Sequence, residues 1–227
     1  YQDEPGATSC KPCTPGHHCK AGAAAALPCS EGSYSNATNL TRYEECTATD
    51  PGFYATTGST AQLECRPGTV APGTKTAACA DCDAGTFMNA SGGEVCHDCP
   101  AGYYCAEGAA APLPCEEGTY SMATKLTSAV ECIATDPGFY ATTGSTVQTQ
   151  CSPGTYSDGP MQSTCTPCVA GSYQDAPGAT ECEPCTPGYH CAEGAAAALP
   201  CAEGTYSMAT KLTSAAECTD ADPGFYA

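Results

Sequence analysis

Two closely spaced pairs of cysteines could do chemistry: "CADC" (79–82) and "CHDC" (96–99). Two Cys-x2-Cys pairs at this spacing suit a tetrahedral zinc site, and a single pair can also be a redox dithiol. However, His97 stands where the other repeats have Lys11 and Glu183, so it is not a recurring ligand. A redox pair needs a βαβ scaffold and a lowered thiol pKa, and nothing in the sequence indicates either. We therefore expect disulfides, with no metal and no other cofactor.

The composition requires covalent cross-links. The 227 residues include 21 Cys but only 7 Leu, 5 Val, 4 Phe and 1 Ile, with no Trp. So few large apolar residues cannot build a conventional core, and disulfides must supply the stability. Cysteines at this density persist as disulfides only in oxidising compartments, which predicts an extracellular or cell-surface protein.

The charge excludes several partners. The formal net charge is −18, and the 7 Lys and Arg residues are scattered singly, which argues against nucleic acid and anionic membrane surfaces. No apolar run reaches the length that spans a bilayer, so we expect no membrane insertion in this segment.

The chain is periodic. Cysteines recur at intervals of 86 residues, and residues 101–140 and 187–226 match at 32 of 40 positions. This register predicts two complete repeat units and one partial unit, and we expect the array to continue beyond this chain. The predicted units are 1–86, 87–172 and 173–227.

A finer Gly-x-aromatic motif lies inside each unit. In the second unit it begins at "GTF" (85–87) and continues through "GYY" (102–104), and Tyr1 fits as the aromatic residue of a truncated copy. Recurrent Gly and Pro favour turns, and short alternating stretches favour small β-hairpins. We predict a small disulfide-rich fold with little regular secondary structure. If each hairpin contacts only its neighbours, the tandem modules form an elongated rod.

The "Cys-x-x-Gly-x-Tyr…Cys-x-x-Cys" pattern resembles the ephrin-receptor-like cysteine-rich repeat and, more distantly, TNF-receptor modules. The resemblance covers the whole chain and is closest at 79–105 and 165–191. Long arrays of such repeats are also similar to protist and algal surface or flagellar-hair filament proteins.

The resemblance implies a disulfide pairing, because in such modules the cysteine before Gly-x-Tyr typically bonds the next cysteine after it. This implies Cys65–Cys79, Cys82–Cys96, Cys151–Cys165 and Cys168–Cys182. The remaining segments carry an extra cysteine, and for them we predict an interlocked arrangement, first to third and second to fourth. The resulting pairs are Cys13–Cys29, Cys19–Cys46, Cys99–Cys115, Cys105–Cys132, Cys185–Cys201 and Cys191–Cys218. Cys10 is left over, and we expect its partner outside this sequence.

All three asparagines lie in Asn-x-Ser/Thr sequons, which predicts N-glycosylation at Asn36, Asn39 and Asn89. Thr14, Thr166 and Thr186 each precede Pro and are candidates for O-glycosylation. The alternative for these threonines is that they are ordinary turn residues. Covalent glycans are thus the only non-protein groups that we expect.

Other candidate sites are weaker. Asp50, Asp136 and Asp222 recur, but one carboxylate per site is too few for calcium. His18 and His190 replace an aromatic residue, which indicates packing against a disulfide and not a ligand role. No catalytic constellation can be defended, so we do not expect an enzyme.

The near-identity of the repeats favours a structural protein: a component of an extracellular glycosylated filament or surface coat. Its partners would be further repeats of the same chain or copies of itself. The alternative is a ligand-binding or adhesion ectodomain of a cell-surface receptor, although receptors usually diversify their repeats to make one specific site.

Overall fold

The computed structural model describes residues 1–222. The last Gly-x-aromatic motif of the sequence, at 224–226, lies outside the described residues, as does the end of the predicted third unit. Two compact units share the chain. The first comprises Tyr1–Pro100 with Tyr104–Leu113 and Lys125–Thr127, and the second comprises Ala101–Tyr103, Pro114–Thr124 and the chain from Ser128.

Regular secondary structure consists of very short strands, each paired with the next strand along the chain. The twelve two-stranded sheets in the described residues are β1–β2 (His17–His18, Leu27–Pro28), β3–β4 (Ser33–Tyr34, Thr47–Ala48), β5–β6 (Phe53–Tyr54, Leu63–Glu64), β7–β8 (Thr69–Val70, Ala80–Asp81), β9–β10 (Thr86–Phe87, His97–Asp98), β11–β12 (Tyr103–Tyr104, Leu113–Pro114), β13–β14 (Thr119–Tyr120, Ile133–Ala134), β15–β16 (Phe139–Tyr140, Thr149–Gln150), β17–β18 (Thr155–Tyr156, Thr166–Pro167), β19–β20 (Ser172–Tyr173, Glu183–Pro184), β21–β22 (Tyr189–His190, Leu199–Pro200) and β23–β24 (Thr205–Tyr206, Thr219–Asp220).

Three 3-10 turns complete the secondary structure of this part of the chain: Tyr43–Glu45, Ala129–Glu131 and Ala215–Glu217. There is no α-helix among residues 1–222. The prediction of a small disulfide-rich fold with short hairpins and little regular secondary structure is confirmed.

Each hairpin begins at the glycine of the Gly-x-aromatic motif. Gly102, for example, has a φ of 80°, a conformation that glycine adopts without steric cost. Its N–H donates to the carbonyl of Ser121, and its own carbonyl accepts from Cys115, at 2.9 and 2.8 Å. Gly102 therefore adopts a positive φ at the turn and is bonded through both of its backbone polar groups.

The core is a row of small buried side chains, because large apolar residues are scarce. The cysteine three residues before the hairpin glycine is fully buried in most hairpins, as at Cys65, Cys82 and Cys151. The residue three positions after the glycine is also buried, for example Ala55 and Ala141. The aromatic residues between these positions are half-buried and border the core.

Successive hairpins are joined by recurring backbone hydrogen bonds. From Gly16 to Gly171, the N–H of each hairpin glycine donates to the carbonyl three residues after the next hairpin's glycine. In the first unit Gly52 donates to Ala71 over 2.8 Å, and in the second unit Gly138 donates to Ser157 over 2.8 Å. This bond fixes the position of each hairpin relative to the next.

Contacts also reach the next hairpin but one, so the expectation that each hairpin contacts only its neighbours is wrong. The carbonyl oxygen of Gly92 lies where a Cβ on Gly52 would be, although the β7–β8 hairpin lies between them in the chain. Gly138 and the carbonyl of Gly178 are related in the same way within the second unit. The absence of a side chain on the hairpin glycine allows this approach.

Candidate functional site: the disulfides and the sequons

Ten disulfides join cysteines that are consecutive in the chain, with Cα–Cα distances between 5.6 and 6.1 Å. Seven of them link the two arms of one hairpin, because the second cysteine directly precedes the returning strand. The other three, Cys13–Cys19, Cys99–Cys105 and Cys185–Cys191, span only the first strand of their hairpin (β1, β11 and β21). No two of the ten overlap in sequence. The pairs are Cys13–Cys19, Cys29–Cys46, Cys65–Cys79, Cys82–Cys96, Cys99–Cys105, Cys115–Cys132, Cys151–Cys165, Cys168–Cys182, Cys185–Cys191 and Cys201–Cys218.

The pairs that the family resemblance implied are present in the structure: Cys65–Cys79, Cys82–Cys96, Cys151–Cys165 and Cys168–Cys182. The interlocked arrangement predicted for the other cysteines is wrong. The pairs that the structure contradicts are Cys13–Cys29, Cys19–Cys46, Cys99–Cys115, Cys105–Cys132, Cys185–Cys201 and Cys191–Cys218.

The turn geometry explains this correction. The chain reverses at Gly102, which brings Cys105 within 5.9 Å (Cα–Cα) of Cys99 across a sequence separation of only 6 residues. The returning strand β14 likewise brings Cys132 to 5.9 Å from Cys115. Both distances suit a disulfide. Each cysteine therefore meets its partner inside its own hairpin, and none needs to reach the next one.

The two Cys-x2-Cys pairs are joints between hairpins. Cys79 is bonded back to Cys65, Cys82 forward to Cys96, and Cys99 forward to Cys105. Within residues 1–222, no group of three or more His, Cys, Asp or Glu side chains is placed to hold a metal ion. These cysteines are structural.

Cys10 is exposed and is the one cysteine without a partner in residues 1–222. The N–H of Lys11 donates to the carbonyl of Tyr1 over 2.8 Å. Lys11 and Tyr1 are the equivalents, 86 residues earlier, of His97 and Phe87, which pair between β10 and β9. Tyr1 therefore occupies the aromatic position of the motif, as predicted. A partner for Cys10 outside the sequence remains a prediction.

The β5–β6 hairpin has no disulfide, a feature that the sequence reasoning missed. Thr49 is 0% exposed and occupies the position of the buried cysteine, three residues before Gly52. Its Oγ1 accepts from the N–H of Thr76 over 2.9 Å. Gln62 stands where the second cysteine would be, directly before the returning strand.

Gln62 closes the β5–β6 hairpin by hydrogen bonds to Asp50. Its Oε1 accepts from the N–H of Asp50, and its Nε2 donates to the Asp50 carboxylate, each over 2.8 Å. The β15–β16 hairpin repeats both bonds between Gln148 and Asp136 at the same distances. Asp50 and Asp136 therefore each bind a glutamine side chain of their own hairpin.

The three sequon asparagines are exposed. Asn36 and Asn89 lie in loops after β3 and β9, whereas Asn39 has a φ of 59° and its Oδ1 accepts from the N–H of Cys13 over 3.2 Å. The hydroxyl residue of the Asn39 sequon, Thr41, donates from its N–H and its Oγ1 to Glu45. The bond from the Thr41 backbone is the main cause that lowers the pKa of Glu45. The three threonines predicted to carry O-glycans, Thr14, Thr166 and Thr186, are also exposed.

Two of the four histidines, His17 and His18, are adjacent in β1, whereas His97 and His190 lie in other hairpins. His18 is buried edge-on against Tyr43, with ring centroids 6.2 Å apart, which agrees with a packing role. His97 is exposed on β10, and its ring centroid lies 5.9 Å from that of Phe87. No helix in residues 1–222 could cross a membrane.

The comparisons with known proteins give one family. Residues 154–199 match the family described as tyrosine-protein kinase ephrin type A/B receptor-like. A search of the curated proteins found no match. The matched segment contains the β17–β18, β19–β20 and β21–β22 hairpins and the 165–191 region where the sequence resemblance is closest. Residues 154–199 are therefore similar to ephrin-receptor-like cysteine-rich modules, an extracellular type of domain that is typically non-catalytic.

Proposed function

We propose that this chain is a structural component of an extracellular glycosylated filament or surface coat, and not an enzyme. The observation that carries this proposal is the repetition of one bonding scheme. In each unit, hairpin after hairpin makes the same glycine N–H bond to the next, as Gly68 does to Met88 and Gly154 does to Gln174, both over 2.7 Å.

This scheme supports a structural role because it is independent of side-chain identity. The bond needs only a glycine in one hairpin and a backbone carbonyl in the next, so repeats can be added without redesign of an interface. The residues that vary between repeats are mostly exposed. Met122 and Met208, which replace Asn36 in the later repeats, are 71% and 85% exposed.

Electron microscopy of the native material, with an antibody against this chain, tests the proposal. We expect labelled fibres or a continuous coat in which copies of the chain, or further repeats of it, are the partners. Isolated labelled molecules attached to a membrane would instead identify a ligand-binding or adhesion ectodomain and would contradict the proposal.

Glycosylation is the second part of the proposal, and exposure of all three sequon asparagines supports it. The repeats supply matched replacements: Asn36→Met as in Met122, Asn39→Lys as in Lys125, and Asn89→Asp as in Asp175. Lys125 has a φ of 63°, close to that of Asn39, so the replacement keeps the local backbone.

Intact mass before and after enzymatic removal of N-glycans provides the measurement. Each replacement should lower the glycosylated mass by one glycan without loss of the folded, oxidised protein. A mass that enzymatic treatment leaves unchanged would contradict N-glycosylation. Residual mass heterogeneity located at Thr14, Thr166 or Thr186 would identify O-glycans at the exposed Thr-Pro sequences.

A further inference from the structure

The disulfides leave two long segments of the chain without covalent closure. Because the ten bridges follow one another without overlap, a chain pulled from its ends is held by every bridge in series. Between Cys46 of one bridge and Cys65 of the next, residues 47–64 lie outside all disulfides. Residues 133–150, between Cys132 and Cys151, are the equivalent segment in the second unit.

Elsewhere the unbridged segments of the described chain are shorter. Only two residues separate Cys79 from Cys82, and residues 106–114 separate Cys105 from Cys115. The two long segments each contain one complete hairpin, β5–β6 in the first and β15–β16 in the second.

No covalent bond closes these hairpins, which are held by hydrogen bonds and by packing of buried residues such as Ala55. In β5–β6 the bonds include the Asp50–Gln62 pair, the Cys65 N–H to the Gly52 carbonyl over 2.9 Å, and the Gly52 N–H to the Ala71 carbonyl. The disulfide-closed β9–β10 hairpin makes equivalent backbone bonds, but its bridge keeps the strands together when those bonds break. After the hydrogen bonds break, a bridge still joins the two arms of β9–β10, whereas no covalent link joins the two arms of β5–β6.

We propose that the β5–β6 and β15–β16 hairpins are extensible elements, one per 86-residue repeat, that open before and independently of the disulfide-closed hairpins. A disulfide limits the freedom that an opened hairpin gains, which raises the free energy of opening. Without that limit, residues 47–64 can lengthen the chain by up to about 65 Å when they open. This inference concerns the chain itself and does not depend on assembly into a filament.

Amide hydrogen exchange of the wild-type chain provides the first test. The N–H groups of Gly52 and Cys65 should exchange about a hundredfold faster than those of Gly85 and Cys99, which make the same bonds in a closed hairpin. Equal protection of the two pairs would overturn the proposal.

Single-molecule extension of the full oxidised chain, pulled from its ends, provides the second test. Thr49→Cys with Gln62→Cys adds the missing bridge to β5–β6, and Thr135→Cys with Gln148→Cys adds it to β15–β16. Cys10→Ser in every protein tested prevents mispairing, and Thr49→Ser with Gln62→Ser is the matched variant that cannot form a bridge.

We expect the wild-type chain to show two reversible low-force steps of up to about 65 Å, each reduced to about 20 Å by the bridge in its own hairpin. The serine variant should retain both full steps. If the low-force steps keep their length in both bridged variants, the extension comes from elsewhere and the proposal is wrong.

Discussion

The β5–β6 and β9–β10 hairpins have nearly the same backbone bonds but different closures. Cys65 donates to Gly52 and Cys99 donates to Gly85, both over 2.9 Å, while only the second hairpin has a disulfide. In the first, Thr49 and Gln62 occupy the two cysteine positions. The comparison indicates that glycine turns and inter-hairpin bonds determine the hairpin geometry, and that the disulfide adds stability to a geometry that forms without it.

The largest expected loss of stability is the same for hairpins with and without a disulfide. Gly52→Ala places a Cβ on the carbonyl oxygen of Gly92 and requires alanine at a φ of 82°, which should destabilise the protein by about 3–5 kcal/mol. Gly85→Ala should behave similarly, because it meets the carbonyl of Lys125. Urea unfolding provides the measurement.

Gly73→Ala is the control for this prediction, since a Cβ on Gly73 would have no neighbour within 4 Å. It should unfold like the wild type. Full stability of Gly52→Ala would contradict the claim that the glycine determines hairpin geometry.

The second prediction concerns removal of the disulfide from the β9–β10 hairpin. Cys82→Ala with Cys96→Ala should lower the free energy of opening of β9–β10 by about 3 kcal/mol. Cys82→Thr with Cys96→Gln should recover about 1 kcal/mol of that loss, because Asp83 stands where Asp50 does, two residues before the glycine. Exchange of the Cys99 amide provides the measurement, and no difference between the two variants would show that the Thr–Gln closure does not transfer.

The third prediction concerns the buried hydroxyl. Thr49→Val removes the acceptor of the half-buried Thr76 N–H and should cost about 1–2 kcal/mol. Thr49→Ser keeps the hydroxyl and should retain most of the wild-type stability. Denaturant unfolding of both variants distinguishes the hydrogen bond from simple space filling, which Val would satisfy as well as Thr.

The smallest effect on stability is expected at the exposed Asp50–Gln62 pair. Gln62→Ala should cost about 0.5–1 kcal/mol, because both bonds to Asp50 are solvent-exposed. A double-mutant cycle with Asp50→Ala isolates the coupling, measured by exchange of the Cys65 amide. Additive effects of the two substitutions would contradict a closing role for this pair.

The sequence predicted the short hairpins and the disulfides of the simplest modules, because glycine, turn and cysteine patterns are local. It failed for Cys99, Cys105, Cys115 and Cys132, whose pairing depends on how tightly the chain reverses at Gly102. It also gave no sign of the closing roles of Thr49 and Gln62. From the sequence alone, threonine at the cysteine position before Gly52 indicates only that a disulfide is missing. The structure shows that Gln62 occupies the position of the second cysteine.

The central claim is that each disulfide joins two cysteines of one hairpin and that β5–β6 and β15–β16 have none. Peptide mapping of the unreduced protein by mass spectrometry tests it most directly. We predict peptides that link Cys99 to Cys105 and Cys115 to Cys132. Peptides that link Cys99 to Cys115 or Cys105 to Cys132 would contradict the account.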